Sequence, residues 1–373
     1  MRVLHAVTLH SPRNAFGGPV RVALNLAAGL RARGHEARLL ALGEEFDPWP
    51  TEVEGIPATL YPARRLLPLG FSGMTSPALL AAAGRLVREA DLVHVHLARD
   101  LVTLPVALAA LRAGRPLVLQ THGMVDPSGK ALAKVLDALA VRRLLHRAGA
   151  VLYLTPHERN GLDAVAGSAL GNTVRLVNGV PAQEERPALS GPPRILYSAR
   201  LQSRKRPVDF VDAAPAVLAV HPDAEFVVAG PDEGELPAVR ARIAALGLGD
   251  RFTVTGGLTG PEVLAELRRA GVYVLPSVDE PFPMSVLEAL AVGVPSVVTR
   301  SNGLAKDIAA AGAGRVVEPG PEGVAAAVLE LLAPEANRAA SLAARKLAVD
   351  AFSMDAVLDT LLSVYEGIGL RPA

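Results

Sequence analysis

The chain has 373 residues, no cysteine, and 38 Lys and Arg against 37 Asp and Glu, for a net charge of +1. Without cysteine it can form no disulfide framework, thiol nucleophile or thiolate-bound metal. Its length suits two domains of roughly 150–200 residues. Aromatic residues make up only 4%, so Ala, Val and Leu must build the cores, as in parallel sheets covered by helices.

The opening segment, 1–7, is too short for a secretory leader. The apolar run 2–9 reads as a buried strand. A loop with two glycines, Phe16-Gly17-Gly18-Pro19, follows. Val22, Leu26 and Leu30 then recur at helical spacing. Gly34 suits the left-handed position that ends a helix, and 35–42 reads as the next strand. Strand, glycine loop, helix and strand open a doubly wound fold.

The alternation continues with helices at 77–90, 101–113 and 131–148 and strands at 92–97, 116–120 and 150–154. The longest apolar stretch, 101–111, is about half of what spans a bilayer. A cytoplasmic protein, soluble or bound peripherally to a membrane, is therefore expected. The polar, Pro-containing stretch 182–193 marks a boundary. A second series has strands at 194–199, 225–229, 252–255, 272–275 and 296–299, and a last helix at 354–367. Charge is uneven: residues 1–186 hold 21 Lys and Arg against 15 Asp and Glu, and the remainder 17 against 22. That asymmetry suits an anionic partner on the N-terminal side, or ordinary surface variation.

The strongest chemical motif runs from Pro276 to Leu290. A strand ends, a short loop carries Glu280, and Pro283 suits the first turn of a helix. The first-turn amides at Met284, Ser285 and Val286 then point outward, ready for an anion at the carboxyl end of a parallel strand. Glu288 follows within the helix. A carboxylate can bind vicinal hydroxyls, so acid, amides and acid together suit a sugar–phosphate–sugar ligand. The same spacing also suits a solvated loop acid and an exposed helix face.

A second motif, Arg200-Leu201-Gln202-Ser203-Arg204-Lys205-Arg206, places four basic residues after a strand. Such cations stabilise a departing diphosphate, although a solvated basic loop has the same pattern. Gly17-Gly18 allows close backbone approach to a ligand, but is not the dinucleotide fingerprint. His94 and His96 alternate on one strand and share a face. His122 ends the next strand before Gly123, a position suited to substrate contact or to a structural role. No spacing matches a metal site, so no protein-bound metal is expected.

With these motifs in place, the chain resembles the retaining glycosyltransferases of family 4. The resemblance covers nearly the whole chain and is densest from Arg194 to Val317. It rests on Glu280 followed eight positions later by Glu288-Ala289, on Arg200 with Lys205, on Asn178-Gly179-Val180-Pro181, and on 291–298. It implies an α/β GT-B fold, two Rossmann-like doubly wound domains facing a central cleft. Residues 1–185 would form the acceptor-side domain and 190–350 the nucleotide-sugar domain. Residues 351–373 would be a helix that can pack back on the first.

The resemblance also implies roles. Arg200 and Lys205 would bind the donor diphosphate and Glu288 the ribose hydroxyls. Glu280 would lie near the donor hexose, beside the amides of Met284 and Ser285. Gly17 and Gly18 would close over the phosphates, His122 would meet the hexose near the reacting carbon, and Gly257 and Leu258 would lie near the base. The nucleotide-diphosphate sugar is a co-substrate and no cofactor is expected. The acceptor would be a saccharide or lipid-linked saccharide, and no nucleic acid is implicated.

The basic residues of the helix 130–147 and the loop 64–71 suit an anionic membrane or a solvated surface. This chain departs from the family pattern at Pro283, where glycine is common. The later Gly-Gly and acidic residue are only approximated, by Asn302-Gly303 and Asp307. A nucleotide-sugar epimerase and a non-catalytic sugar-binding protein are the competing readings.

Overall fold

The computed structural model describes residues 1–11, 17–67, 70–187 and 191–368. Phe16, Pro68 and Leu69, which belong to two of the loops considered above, lie outside the described residues. The chain divides into two units: one gathers the residues up to Gly179 with Met354 onward, the other holds Val180–Ser353.

The first unit begins with β1 (Arg2–His10), α1 (Gly17–Ala32), β2 (Glu36–Gly43), β3 (Glu52–Val53), β4 (Ile56–Pro62), β5 (Arg64–Arg65) and β6 (Met74–Thr75). It continues with α2 (Pro77–Glu89), β7 (Leu92–His96), α3 (Thr103–Arg112), β8 (Leu117–Gln120), α4 (Ala131–Leu136), α5 (Arg142–Arg147), β9 (Ala150–Tyr153), α6 (Pro156–Ala166) and β10 (Thr173–Arg175). Its main sheet has the order β10-β9-β8-β7-β1-β2-β4-β3. All pairings in it are parallel except β3 with β4. Strand order reverses between β1 and β7. One face buries Leu4, Ala6, Val93, Val95 and Leu119 against α2, α3, α5 and α6.

The second unit holds β11 (Arg194–Ser198), α7 (Pro207–Leu218), β12 (Glu225–Ala229), α8 (Leu236–Ala245), β13 (Phe252–Gly256), α9 (Gly260–Arg269), β14 (Val272–Leu275) and α10 (Met284–Val292). It ends with β15 (Ser296–Thr299), α11 (Ala305–Ala311), β16 (Gly314–Val317), α12 (Pro321–Leu332) and α13 (Pro334–Phe352). The last helix, α14 (Met354–Gly367), belongs to the first unit. The second sheet is wholly parallel in the order β13-β12-β11-β14-β15-β16. Its strand order reverses between β11 and β14, the crevice where open α/β sheets bind ligands.

Three differences from the sequence reading have physical causes. Gly17 and Gly18 are not a loop; they are the first residues of α1. A Cβ at Gly18 would meet open space. The helix expected at 131–148 is interrupted by a π-turn at Asp137–Val141. There the buried Asp137 carboxylate takes both Arg99 Nε, at 2.7 Å, and Arg99 Nη2, at 3.0 Å. The polar stretch read as a linker packs on the second unit. Arg186 is buried, donating to the Ala270 carbonyl and to Asn337 Oδ1, each at 2.6 Å.

Within the first unit, α14 lies against α1 through a glycine. A Cβ at Gly29 would stand 2.2 Å from Leu358 Cδ1. Arg33 of the neighbouring turn donates to Asp355 at 3.1 Å and to Asp359 at 2.7 Å. Tyr365 brings α14 onto the sheet, its hydroxyl 2.8 Å from His94 Nδ1.

Candidate functional site

The loops that follow β11 and β14 meet at the switch point of the second sheet. A short 3-10 turn, Ser203–Lys205, buries the Lys205 side chain, and its ammonium donates to Glu280 Oε2. Arg204 stands 3.9 Å from the same carboxylate. Its Nη1 donates to the Asp279 carbonyl at 2.8 Å, and its own carbonyl accepts from Val278 N at 3.0 Å. Burial pulls the Lys205 ammonium below its usual pKa, with Arg204 and Arg200 acting in the same direction and Glu280 opposing.

The loop holding Glu280 is clamped from its other side. Asp279 N donates to Ser301 Oγ at 2.9 Å, and Gly303 N to the Glu280 carbonyl at 2.8 Å. A Cβ at Gly303 would lie 1.7 Å from the Pro281 carbonyl oxygen. Only glycine fits, so the Asn302-Gly303 pair, read as a departure from the family pattern, has a positioning task here. Backbone strain gathers at the same place. Arg206, next to Lys205, and Asp279, next to Glu280, are non-glycine residues with φ of 51° and 52°. Such conformations cost about 1–3 kcal/mol each and persist where their surroundings hold them.

Pro283 precedes the first turn of α10, with ψ of 118°. The first-turn amides of Met284, Ser285 and Val286 have no carbonyl four residues back to pair with inside the helix. Met284 is buried. The Tyr273 hydroxyl donates to the Ser198 carbonyl and lies 2.8 Å from both that oxygen and Ser285 Oγ. It ties the end of β11 to the start of α10. Burial raises the Tyr273 pKa, and the charges of Glu288 and Glu280 add to the effect, so both acids act on this one phenol. Glu288 is half-buried, one turn into α10.

Arg200 lies after β11 and engages a different acid. Its Nη1 is 2.8 and 3.2 Å from the two carboxylate oxygens of Glu233. The strand end carrying it is crossed by Gly230, whose φ is +145° and whose Cβ would stand 1.8 Å from the Ala199 carbonyl oxygen. Gly257 and Leu258 follow edge strand β13, on the same carboxyl side of the sheet. No hydrogen bond or ion pair found among the described residues links them to Lys205 or Glu280. The structure thus brings Lys205, Glu280, Met284, Ser285 and Glu288 to one crevice. Arg200 stands beside it on Glu233.

His122 belongs to the first unit. It follows β8 with φ of 51°, ahead of Gly123 at 72°. Glu158, buried in the first turn of α6, holds both neighbours: its Oε1 accepts from Thr121 Oγ1 and from Gly123 N, each at 2.6 Å. Its other oxygen accepts from Leu154 N at 2.6 Å. His122 Nε2 is 2.8 Å from His96 Nδ1. Burial lowers the His122 pKa to about 3, so the ring is neutral at physiological pH. Sequence reasoning missed Glu158, Tyr273 and Glu233. The detectable signal at Glu158 was Thr155-Pro156-His157-Glu158, which has a helix-capping spacing. Thr155 Oγ1 does accept from Glu158 N, at 3.2 Å.

Comparisons with known proteins identify the family. Residues 17–179 match the family described as glycosyl transferase 4-like domain, and residues 181–346 match glycosyl transferases group 1. Alpha-D-kanosaminyltransferase of Streptomyces kanamyceticus is 30% identical over 279 residues, covering 69% of this chain and 72% of that protein. Phosphatidyl-myo-inositol mannosyltransferase of Mycobacterium leprae is 26% identical over 380 residues, covering 94% and 93%. The crystal structure of Anabaena HepE in complex with UDP and glucose superposes with a TM-score of 0.79 at 19% identity, covering 98% of this chain and 99% of that one. The chain has the GT-B fold and belongs to family 4 of the glycosyltransferases.

Proposed function

We propose that this glycosyltransferase moves a hexose, with retention of anomeric configuration, from a nucleoside-diphosphate sugar to an acceptor hydroxyl. The observation that carries this reading is the gathering of Lys205, Glu280, the first-turn amides of α10 and Glu288 at the switch point of the second sheet. Lys205 and Arg200 take the diphosphate, Glu288 the ribose hydroxyls and Glu280 the hexose. The amides of Met284 and Ser285 serve the sugar or phosphates, and Gly257 and Leu258 lie toward the base. Gly17 and Gly18, at the start of α1, serve the phosphates, and His122 meets the hexose.

In the transfer step the bond from the anomeric carbon to the phosphate oxygen breaks, and its electron pair stays with the phosphate. The acceptor oxygen bonds to that carbon from the same face, and its proton passes to the departing phosphate oxygen. No side-chain base is needed. The protein contributes preorganised charge, worth about 2.7–4 kcal/mol for a single well-placed donor.

A lipid-linked acceptor is favoured by the helix that spans α4, the π-turn and α5. Leu132, Val135 and Leu139 are 44%, 50% and 73% exposed. Lys130, Lys134, Arg142, Arg143 and Arg147 are exposed around them, while the sole acid of this helix, Asp137, is buried on Arg99. An apolar ridge ringed by cations suits an anionic membrane surface. Among the described residues no helix is long and apolar enough to cross a membrane. The name of the Mycobacterium leprae relative likewise specifies a lipid acceptor.

A panel of UDP-, GDP- and ADP-sugars tests the proposal. One of them should raise the melting temperature, since a ligand that binds only the folded state stabilises it. With that donor and an acceptor, NMR of the product should show the donor's anomeric configuration. An inverted product would reject retention, and no thermal shift with any member would reject the donor class.

A further inference from the structure

Beneath α1 and α14, the face of the first sheet that should be apolar carries four polar side chains. His5 of β1, His94 and His96 of β7, and Gln120 of β8 are each no more than 1% exposed. The parallel register pairs His5 with His94 and His96 with Gln120, so the four share this face. Burying such groups costs about 1–3 kcal/mol each unless they find partners. Three of the imidazoles find one another. His122 Nε2 lies 2.8 Å from His96 Nδ1, and His96 Nε2 lies 3.3 Å from His5 Nδ1. The rings of His96 and His122 are stacked, 5.0 Å apart and 6° from parallel.

Burial keeps these rings neutral. A neutral imidazole has one N–H and one bare nitrogen, so a row of three can point only one way at a time. In one direction His5 Nδ1–H donates to His96, His96 Nδ1–H donates to His122, and His122 keeps its own proton on Nδ1. In the other direction His122 Nε2–H donates inward, and the row ends in an N–H at His5 Nε2. That atom is buried without a protein partner. A buried orphan donor is rarer than a buried orphan acceptor, which favours the first direction.

We infer that His96, backed by His5, is a positioning residue that sets the tautomer of His122, so that His122 presents an Nδ1–H donor and is not a base. This rests on the reading that His122 meets the donor hexose. The substrate group it serves is then a hydroxyl or ring oxygen of the sugar, an acceptor of that hydrogen bond. The stacked His96 ring and the Glu158 clamp on Thr121 and Gly123 restrain the ring and the backbone around it.

Nitrogen-15 NMR of the full-length protein reads the tautomer directly. The wild type should show His122 protonated at Nδ1. His96→Leu removes the partner, so the Nε2–H form should appear. kcat should fall by about 10- to 100-fold, with the KM for donor changed little. His96→Asn places an amide donor near the position of Nδ1, and should restore both the Nδ1–H signal and most of kcat. An Nε2–H tautomer in the wild type would overturn the inference. So would an unchanged tautomer and kcat in a folded His96→Leu.

The nitrogens of His5, His94 and His96 lie within 4.8 Å of one another. A stoichiometric metal found there by elemental analysis of the purified protein would also overturn it, since the metal would occupy the relay nitrogens. Full turnover in His122→Ala would instead sink the role of His122, while leaving the tautomer coupling measurable.

Discussion

Lys205 and Glu280, 75 positions apart in the chain, form a buried ion pair that joins the loop after β11 to the loop after β14. Each side chain is 10% exposed. Removing one partner strands the other charge in a poorly solvated place. Lys205→Ala should therefore cost roughly 3–5 kcal/mol of unfolding free energy. The double variant Lys205→Met with Glu280→Gln should recover most of that stability while staying inactive. Urea unfolding beside a turnover assay checks both. A single variant as stable as the wild type would show that the pair does not carry the joint.

Arg200 is held by Glu233, and a diphosphate must compete with that carboxylate. Glu233→Gln should tighten binding of the cognate nucleoside diphosphate by about three- to tenfold. Arg200→Ala should lower kcat by about 100-fold or more. In the Arg200→Ala background the gain from Glu233→Gln should vanish. Titration calorimetry on the four proteins measures the cycle, and additive effects would separate the two residues.

The approach of Gly303 to Pro281 predicts a positional defect without loss of the fold. A methyl group at 303 would stand 1.7 Å from the Pro281 carbonyl oxygen, and the Glu280 loop must move to admit it. Gly303→Ala should lower kcat/KM by about tenfold or more. Its melting temperature should fall by several degrees, because the clash is with backbone, while the fold is retained. Wild-type kinetics would mean that the loop adjusts without carrying Glu280 with it.

Acid stability follows from the buried imidazoles. The His5 pKa falls from 6.5 in the unfolded chain to about 3 in the fold, because burial disfavours the charged ring. Below pH 6.5 the unfolded chain therefore takes up the proton first. The stabilisation is fully present above that pH and is lost progressively as pH falls toward 3. The slope is up to about 1.4 kcal/mol per pH unit for each such histidine. Urea unfolding at several pH values should show stability falling on acidification, and less steeply in His5→Asn.

Membrane docking makes a prediction at the exposed ridge of the α4–α5 helix. Val135→Glu with Leu139→Glu should abolish flotation on vesicles containing anionic lipid and leave the melting temperature unchanged, because both residues face solvent. Flotation of the wild type that ignores anionic lipid would remove the docking surface from the mechanism.

Much of the molecule was legible in the chain itself. Apolar runs bounded by glycine and proline located most strands of both sheets, because parallel strands buried on two faces must be continuously apolar. The spacing from Glu280 to Glu288-Ala289 and the basic run after β11 located the crevice, because both rest on local backbone: a strand end and a helix start. Half-buried strands such as β4 and β10 were missed, since they lack that apolar continuity.

Contacts between distant segments were decided by the tertiary structure alone. Nothing local couples Lys205 to Glu280, Arg200 to Glu233, Gly303 to Pro281, or His122 to His96 and His5. Each pair is made by strand order, which sets β11 beside β12 and β14, β14 beside β15, β1 beside β7, and β7 beside β8. A sequence specifies the local conformations and the apolar faces. Which polar groups then share a buried neighbourhood, and so which charges and protons are held in place, depends on how those faces assemble.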